Sequence, residues 1–287
     1  MIYLILAIFF SSGIAIIFKL FNKYGIHNTQ AIIINYLLAV FAGYFASRTN
    51  LSLPEILDKS WFYLAIVIGT AFITTFFIYA ISSQKAGVAI SAVASRMSVL
   101  IPVLIGIFVY GEKISIIIIG GIALSLFAFF LILQKKSGIN VNYKYLILPI
   151  ILFLGFGFND SMLKHVQKFY ISINEYYIFL TLVFFVALIL GLLLFLIENF
   201  RSKKRIKLEI KNLGAGIILG VFNFLSTYYF LKGMNFFESA IYFPVLNTGI
   251  VTVGAIAGRF LFKEEFTNKN WLGVVLAILA IFMLTLG

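Results

Sequence analysis

Residues 99–130 read VLIPVLIGIFVYGEKISIIIIGGIALSLFAFF, and residues 251–282 read VTVGAIAGRFLFKEEFTNKNWLGVVLAILAIF. At a fixed offset of 152 residues Val99 meets Val251, Gly106 meets Gly258, Glu112 meets Glu264, Gly121 meets Gly273, Leu124 meets Leu276, Ala128 meets Ala280 and Phe130 meets Phe282. Each stretch is an apolar run, a charged turn and a second apolar run. The turns are Gly111-Glu112-Lys113 and Lys263-Glu264-Glu265. Apolar residues match by chance in so biased a composition, so the glycines and the charges carry the comparison. Nearer the start of each copy the offset is 145, joining Lys19 to Lys164, Asn22 to Gln167 and Lys23 to Lys168. The later copy gains its extra residues in the longer basic loop at 198–212. The sequence thus reads as a duplication, with a first unit at 1–136 and a second at 143–287.

Working outward, the 287 residues are 62% hydrophobic and 11% charged, with 33 phenylalanines and a mean hydropathy of +1.09. Soluble domains carry about 25% charged residues; this composition calls for a bilayer as solvent. There is no cysteine, which removes disulfides, thiol nucleophiles and thiolate metal sites. The two histidines, His27 and His165, lie far apart and argue against a histidine metal centre, so no cofactor is expected. The net charge of +12 raises nucleic acid as a partner, but six of the 22 basic residues fall together at Arg201, Lys203, Lys204, Arg205, Lys207 and Lys211. Basic loops between apolar runs mark membrane topology, and no groove-reading motif accompanies the charge.

Ten apolar stretches lie near 2–21, 29–47, 61–82, 86–108, 114–133, 145–164, 173–197, 213–232, 237–260 and 270–286. Each approaches the roughly 20 residues that carry a helix across about 30 Å of hydrocarbon. The first has no basic segment before it and no small-x-small cleavage site, so it reads as a retained span. The runs are continuous rather than alternating, which excludes barrel strands. The expected fold class is therefore all-α integral membrane, ten transmembrane helices as two five-helix repeats. Five crossings per copy turn the second copy upside down. Inverted repeats characterise secondary transporters, in which two halves enclose a midplane site; a channel or an enzyme on a doubled fold is the competing reading.

Ten short-looped spans in two halves, Gly111-Glu112-Lys113 after span four, Lys263-Glu264-Glu265 after span nine, and Gly121 and Gly273 together resemble the drug/metabolite transporter superfamily, specifically EamA-type transporters. Tyr228-Tyr229-Phe230-Leu231-Lys232-Gly233-Met234 is similar to that family's end of span eight. The resemblance implies transport of small organic solutes across an inner membrane, with both termini in the cytoplasm. Departures from the family pattern are the absence of a tryptophan in span one, Asn35 and Tyr36 where span two often has an arginine, and the register of Pro102 and Pro244.

Charges inside apolar runs are the natural site candidates, since an intramembrane cation costs about 2.5–3.5 kcal/mol on insertion scales. Arg96 projects away from the Ser91, Ser95 and Ser98 stripe, which points it to a polar cavity. It is either a substrate anchor or half of a structural ion pair. Asp160 reads as a coupling carboxylate, as a partner of Lys164 one turn on, or as a partner of Arg96. Asn223, Ser226 and Thr227 in span eight, and Asn247, Thr248 and Thr252 in span nine, either line the cavity or hydrogen-bond between helices. Tyr79, Tyr228, Tyr229 and Phe222 are candidate cavity walls. Glu112 and Glu264 open the helices that follow them, where a carboxylate caps or gates.

No metalloprotease, nucleophile-elbow or P-loop motif is present, so the chain is not expected to be an enzyme. The reading is a secondary transporter of amino-acid-, metabolite- or drug-like solutes working by alternating access, coupled to protons or to exchange. Its partners are a small organic solute and the lipid bilayer, with no nucleic acid. The alternatives are a channel or lipid-handling membrane protein without alternating access, and an intramembrane enzyme. Orientation divides the signals. Lys135, Lys136, Lys144 and the six basic residues of 198–212 lie outside if the termini are inside, so the charge rule favours both termini outside.

Overall fold

The computed structural model describes residues 1–47, 53–85, 88–134, 145, 147–201, 209–263 and 265–286. Among them every regular element is helical, because a long apolar run in lipid must satisfy each backbone group within itself. In chain order the helices are α1 (Ile2–Tyr24), α2 (Asn28–Ala46), the short α3 (Leu53–Leu57), α4 (Phe62–Lys85), α5 (Val88–Met97), α6 (Leu100–Phe108) and α7 (Ile116–Leu133). Then follow α8 (Ile147–Phe169), α9 (Tyr176–Arg201), α10 (Ile210–Gly233), α11 (Ser239–Phe262) and α12 (Asn268–Leu286).

Eight of these helices are long and apolar enough to cross a membrane, and two apolar stretches, Ala94–Phe108 and Ile116–Ile132, are shorter. The continuous fourth span expected at 86–108 is instead two helices that meet at Ser98 and Val99. Pro102 explains the break. Its ring cannot sit beneath the carbonyl four residues back, so it is placed in the first turn of a new helix. The Ser98 carbonyl accepts from the Ile101 N–H at 2.9 Å instead. Pro244, by contrast, is accommodated inside α11.

Contacts sort the helix ends into two groups. At the N-terminal end, the start of α1 meets the end of α10 through Tyr3 and Lys232, 5.3 Å apart. There too Gln167 of α8 donates to Asn235 at 2.7 Å, and Lys59 before α4 pairs with Glu175 before α9 at 2.8 Å. At the distal end Lys19 lies 4.2 Å over the Phe262 ring, joining the ends of α1 and α11. Asn212 at the start of α10 accepts from the His27 N–H at 3.0 Å and donates to Gln30 of α2 at 2.7 Å. Asn270 of α12 donates to the Leu131, Ile132 and Gln134 carbonyls at 2.9–3.0 Å, capping the end of α7. α11 is the central element, 67% buried over its apolar window against 28–44% for the other long helices.

Local structure recurs at the 152-residue offset. Gly111 adopts φ 66 and its counterpart Lys263 adopts φ 54, the left-handed turn that glycine takes at least cost. Four residues on, Ser115 Oγ accepts from the Ile118 N–H at 3.2 Å, while Thr267 Oγ1 accepts from the Asn270 N–H at 3.3 Å. Both are N-caps, of α7 and α12. One turn follows a helix that ends at the N-terminal end, the other a helix that ends at the distal end.

Candidate functional site

A cavity of about 910 Å³ runs between α1, α2, α4, α5, α8, α10 and α11. At the distal end it reaches Lys19, Gln134, Phe262, Phe266 and Thr267, which form its mouth. Inward it extends to Asn35, Arg96, Asn159, Asp160 and Asn223. Apolar and aromatic walls come from Phe18, Phe72, Phe76, Tyr79 and Phe156. Few polar groups converge in a mostly apolar concavity, the usual make-up of a small-solute site. Among the described residues no group of three or more His, Cys, Asp or Glu side chains comes together as a metal site.

Arg96 reaches the cavity from the last turn of α5, just before the break at Ser98. Its Nη1 donates to Asn247 Oδ1 of α11 at 3.1 Å. Asn247 is 5% exposed and donates in turn to the Phe243 carbonyl at 3.1 Å, so it stands behind the wall and fixes the guanidinium. Asp160 borders the same cavity from α8. The pairing of Asp160 with Lys164 is not what the structure contains. Lys164 Nζ donates to the Met234 and Phe237 carbonyls at 2.9 and 3.4 Å, because its long stem carries the ammonium to the N-terminal end. Tyr79 lines the cavity with its ring edge-on to Phe156 at 6.0 Å.

The structure separates the remaining candidates. Asn223 lines the cavity, and its Nδ2 donates to Asn35 Oδ1 at 3.1 Å. Thr227 is turned back on its own helix, donating to the Asn223 carbonyl at 2.9 Å. Tyr228 lies nearer the N-terminal end, stacked on Tyr177 at 4.5 Å with the Lys232 ammonium 4.7 Å from its ring. Around it is an aromatic cluster between α1 and α10 in which Tyr229 stacks on Phe10 at 5.8 Å and on Tyr3 at 6.2 Å, and Phe222 meets Phe10 edge-on at 5.4 Å. On α1 the cavity lining reaches no further toward the N-terminal end than Ser11, whose hydroxyl is 2.7 Å from that of Ser226.

Glu112 does not open its own following helix; Ser115 caps that one. Its carboxylate instead accepts from the Ser239 hydroxyl at 2.8 Å and the Ala240 N–H at 3.1 Å, at the first turn of α11. The charge thus meets the positive end of a helix dipole in the other half of the chain. Glu264 lies outside the described residues.

Two cavity residues were not singled out from sequence as candidates for the site. Asn35 was noted only as a departure from a family pattern, and Thr75, which accepts from Asn159 Nδ2 at 3.2 Å, not at all. The available signal was the same one that marked Asn223 and Thr227: a polar side chain, amide or hydroxyl, in the middle of an apolar run.

Residues 144–286 match the sequence model of the EamA-like transporter family. An uncharacterized protein of Haemophilus influenzae is 29% identical over 292 residues, an alignment that covers 98% of this chain and 96% of that protein. A solved crystal structure of a further protein superposes with a TM-score of 0.81 at 12% identity, covering 99% of this chain and 96% of that one. At that identity the likeness is one of fold. With eight helices suited to crossing a membrane and a transporter-family match, the chain is a multi-pass integral membrane protein.

Proposed function

Starting from a C-terminal half that matches the EamA-like transporters, we propose that this protein is a secondary transporter of the drug/metabolite type, moving small organic solutes across a bacterial inner membrane. The two units, 1–136 and 143–287, are inverted five-helix repeats, with α5 and α6 together making one crossing of ten. The observation that carries the reading is the cavity, which reaches from the distal end between helices of both units and is lined no further toward the N-terminal end than Ser11 of α1 and Asn223 of α10. That is the shape of one of two alternating states. Arg96 and Asp160 give its inner end one cation and one anion, which suits a solute of near-zero net charge, amino-acid-, metabolite- or drug-like, with a carboxylate on Arg96. The cavity is wide and blocked at one end, which favours a carrier over a channel. Saturable counterflow in liposomes is the test; linear, non-saturating flux sinks the reading.

Asp160 is the coupling carboxylate in this scheme, since a carboxylate bordering a cavity inside a membrane can pick up and release a proton as the cavity changes sides. Asp160→Asn is expected to keep exchange of solute for solute while losing accumulation driven by a proton gradient. Equal proton-driven accumulation in the variant removes Asp160 from the coupling.

The distal end is cytoplasmic in this reading. The segments joining α7 to α8 and α9 to α10 at that end hold nine basic residues, Lys135, Lys136 and Lys144 and the six of 198–212, and such loops stay inside. A fluorescent protein that matures only in the cytoplasm is expected to stay dark on the C-terminus; bright cells reverse the assignment.

A further inference from the structure

Asn35 of α2 and Asn223 of α10 both border the cavity and are joined by one hydrogen bond of 3.1 Å. Two amides joined once leave one amino group and one carbonyl over, whichever of them donates, so the conclusion does not depend on how either amide is turned. As placed, the remainder is the Asn35 amino group and the Asn223 Oδ1. Neither has a protein partner among the described residues. Neither is sealed in dry protein either, unlike Asn159 Oδ1, which is both buried and partnerless. Unpaired amide groups deep in an apolar bundle are costly unless something polar meets them. The pair is also rigid: α10 passes so close to α2 that a Cβ on Gly220 would stand 2.9 Å from the Asn35 carbonyl oxygen. A fixed donor beside a fixed acceptor is a preorganised recognition edge.

We propose that Asn35 and Asn223 form a binding subsite for a planar amide edge, an N–H donor beside a C=O acceptor, on the solute. The inference rests on the transport reading and extends it, adding to a charge-balanced cavity a neutral hydrogen-bonding requirement. Such an edge occurs in heterocyclic lactams, as in nucleobase rings, and in primary carboxamides. The aromatic walls suit either, since both are flat.

The test is heat stabilisation of the purified protein by uracil, hypoxanthine, nicotinamide, 1,3-dimethyluracil and free leucine, because a ligand that binds only the folded state raises its melting point. At least one of the first three is expected to stabilise the wild type, and 1,3-dimethyluracil, whose edge is blocked, is not. Stabilisation by uracil or hypoxanthine alone assigns a ring lactam, and by nicotinamide alone a carboxamide. Asn223→Leu and Asn35→Leu are each expected to weaken the effective probe by about tenfold or more, as a site built for a hydrogen bond does when the partner is missing. If either variant fails to fold, the wild-type contrast between uracil and 1,3-dimethyluracil decides, with Asn223→Ser as the milder change. Equal stabilisation by 1,3-dimethyluracil, or unchanged affinity in a folded leucine variant, overturns the subsite. So does stabilisation by free leucine with none from the three amide probes; counterflow of leucine then leaves the transport reading standing. An amide probe that binds the wild type and is lost in the variants, yet shows no counterflow, keeps the subsite and sinks the transport reading instead.

Discussion

An Arg96→Ala variant is expected to lose solute counterflow by about 10- to 100-fold while remaining folded. The first half of this expectation follows from chemistry. A forked, charge-assisted contact to a carboxylate contributes on the order of 1.5–3 kcal/mol, and each 1.4 kcal/mol is tenfold in binding. The second half follows from burial. Arg96 is a cation held inside an apolar bundle, so its removal relieves an insertion cost of about 2.5–3.5 kcal/mol, which offsets the loss of the donor to Asn247 Oδ1 and of the cation facing Asp160 across the cavity. Arg96→Lys keeps the charge but loses the planar fork, and is expected to fall between the two. Counterflow with a saturating solute, read beside the melting temperature of each variant, checks both halves. Wild-type counterflow in a folded Arg96→Ala protein would make the residue structural.

The next largest effect is expected at Glu112, because this side chain ties the turn after α6 to the start of α11. In the proposed alternating-access scheme, opening the N-terminal end parts those helices, so the closed state alone would hold the contact. A capping side chain is worth about 0.5–2 kcal/mol, and a charge on a partly buried helix end up to about 2 kcal/mol. Glu112→Ala should therefore raise the population open at the N-terminal end by about 5–30-fold, the factor that one or two kcal/mol represents. Glu112→Gln, which keeps acceptors but not the charge, should raise it less. The chain contains no cysteine, so Ser226→Cys, between Phe222 and Tyr229 on α10, reports the opening without background. An impermeant maleimide applied from the N-terminal side should label it several times faster in the Glu112→Ala protein. A lower melting point with unchanged labelling would restrict Glu112 to capping.

The parts legible in the sequence were those that obey a local rule. Helices follow from apolar run length, and Arg96 and Asp160 stand out because charge is rare in such runs. The turn after α6 and its counterpart after α11 follow from Gly111-Glu112 and Lys263-Glu264 lying at one offset. Illegible were the directions side chains take once helices pack. Glu112 and Ser239 are 127 residues apart, so no spacing rule joins them. Lys164 shares a helix face with Asp160, yet its stem runs to carbonyls at the end of α10. Tyr228 and Tyr79 look alike in sequence and sit at different depths, because α10 and α4 present different turns to the cavity. Pro102 carried a local signal for the broken fourth span, in the ring that forbids a helix bond at its own nitrogen.

The one-sided cavity also reshapes the electric field of the membrane. Where water follows Lys19 and Phe262 inward to Arg96 and Asp160, the conducting phase already occupies that depth of a hydrocarbon layer about 30 Å thick. In the transport reading the membrane voltage then falls mainly across the packed helices between Ser11 and the N-terminal end, beyond the cavity lining. One elementary charge crossing the full potential gains or loses about 2.3 kcal/mol per 100 mV. Concentrated over that packed length, the work acts there rather than in the cavity, so the step in which a charged group passes it is the one that voltage drives.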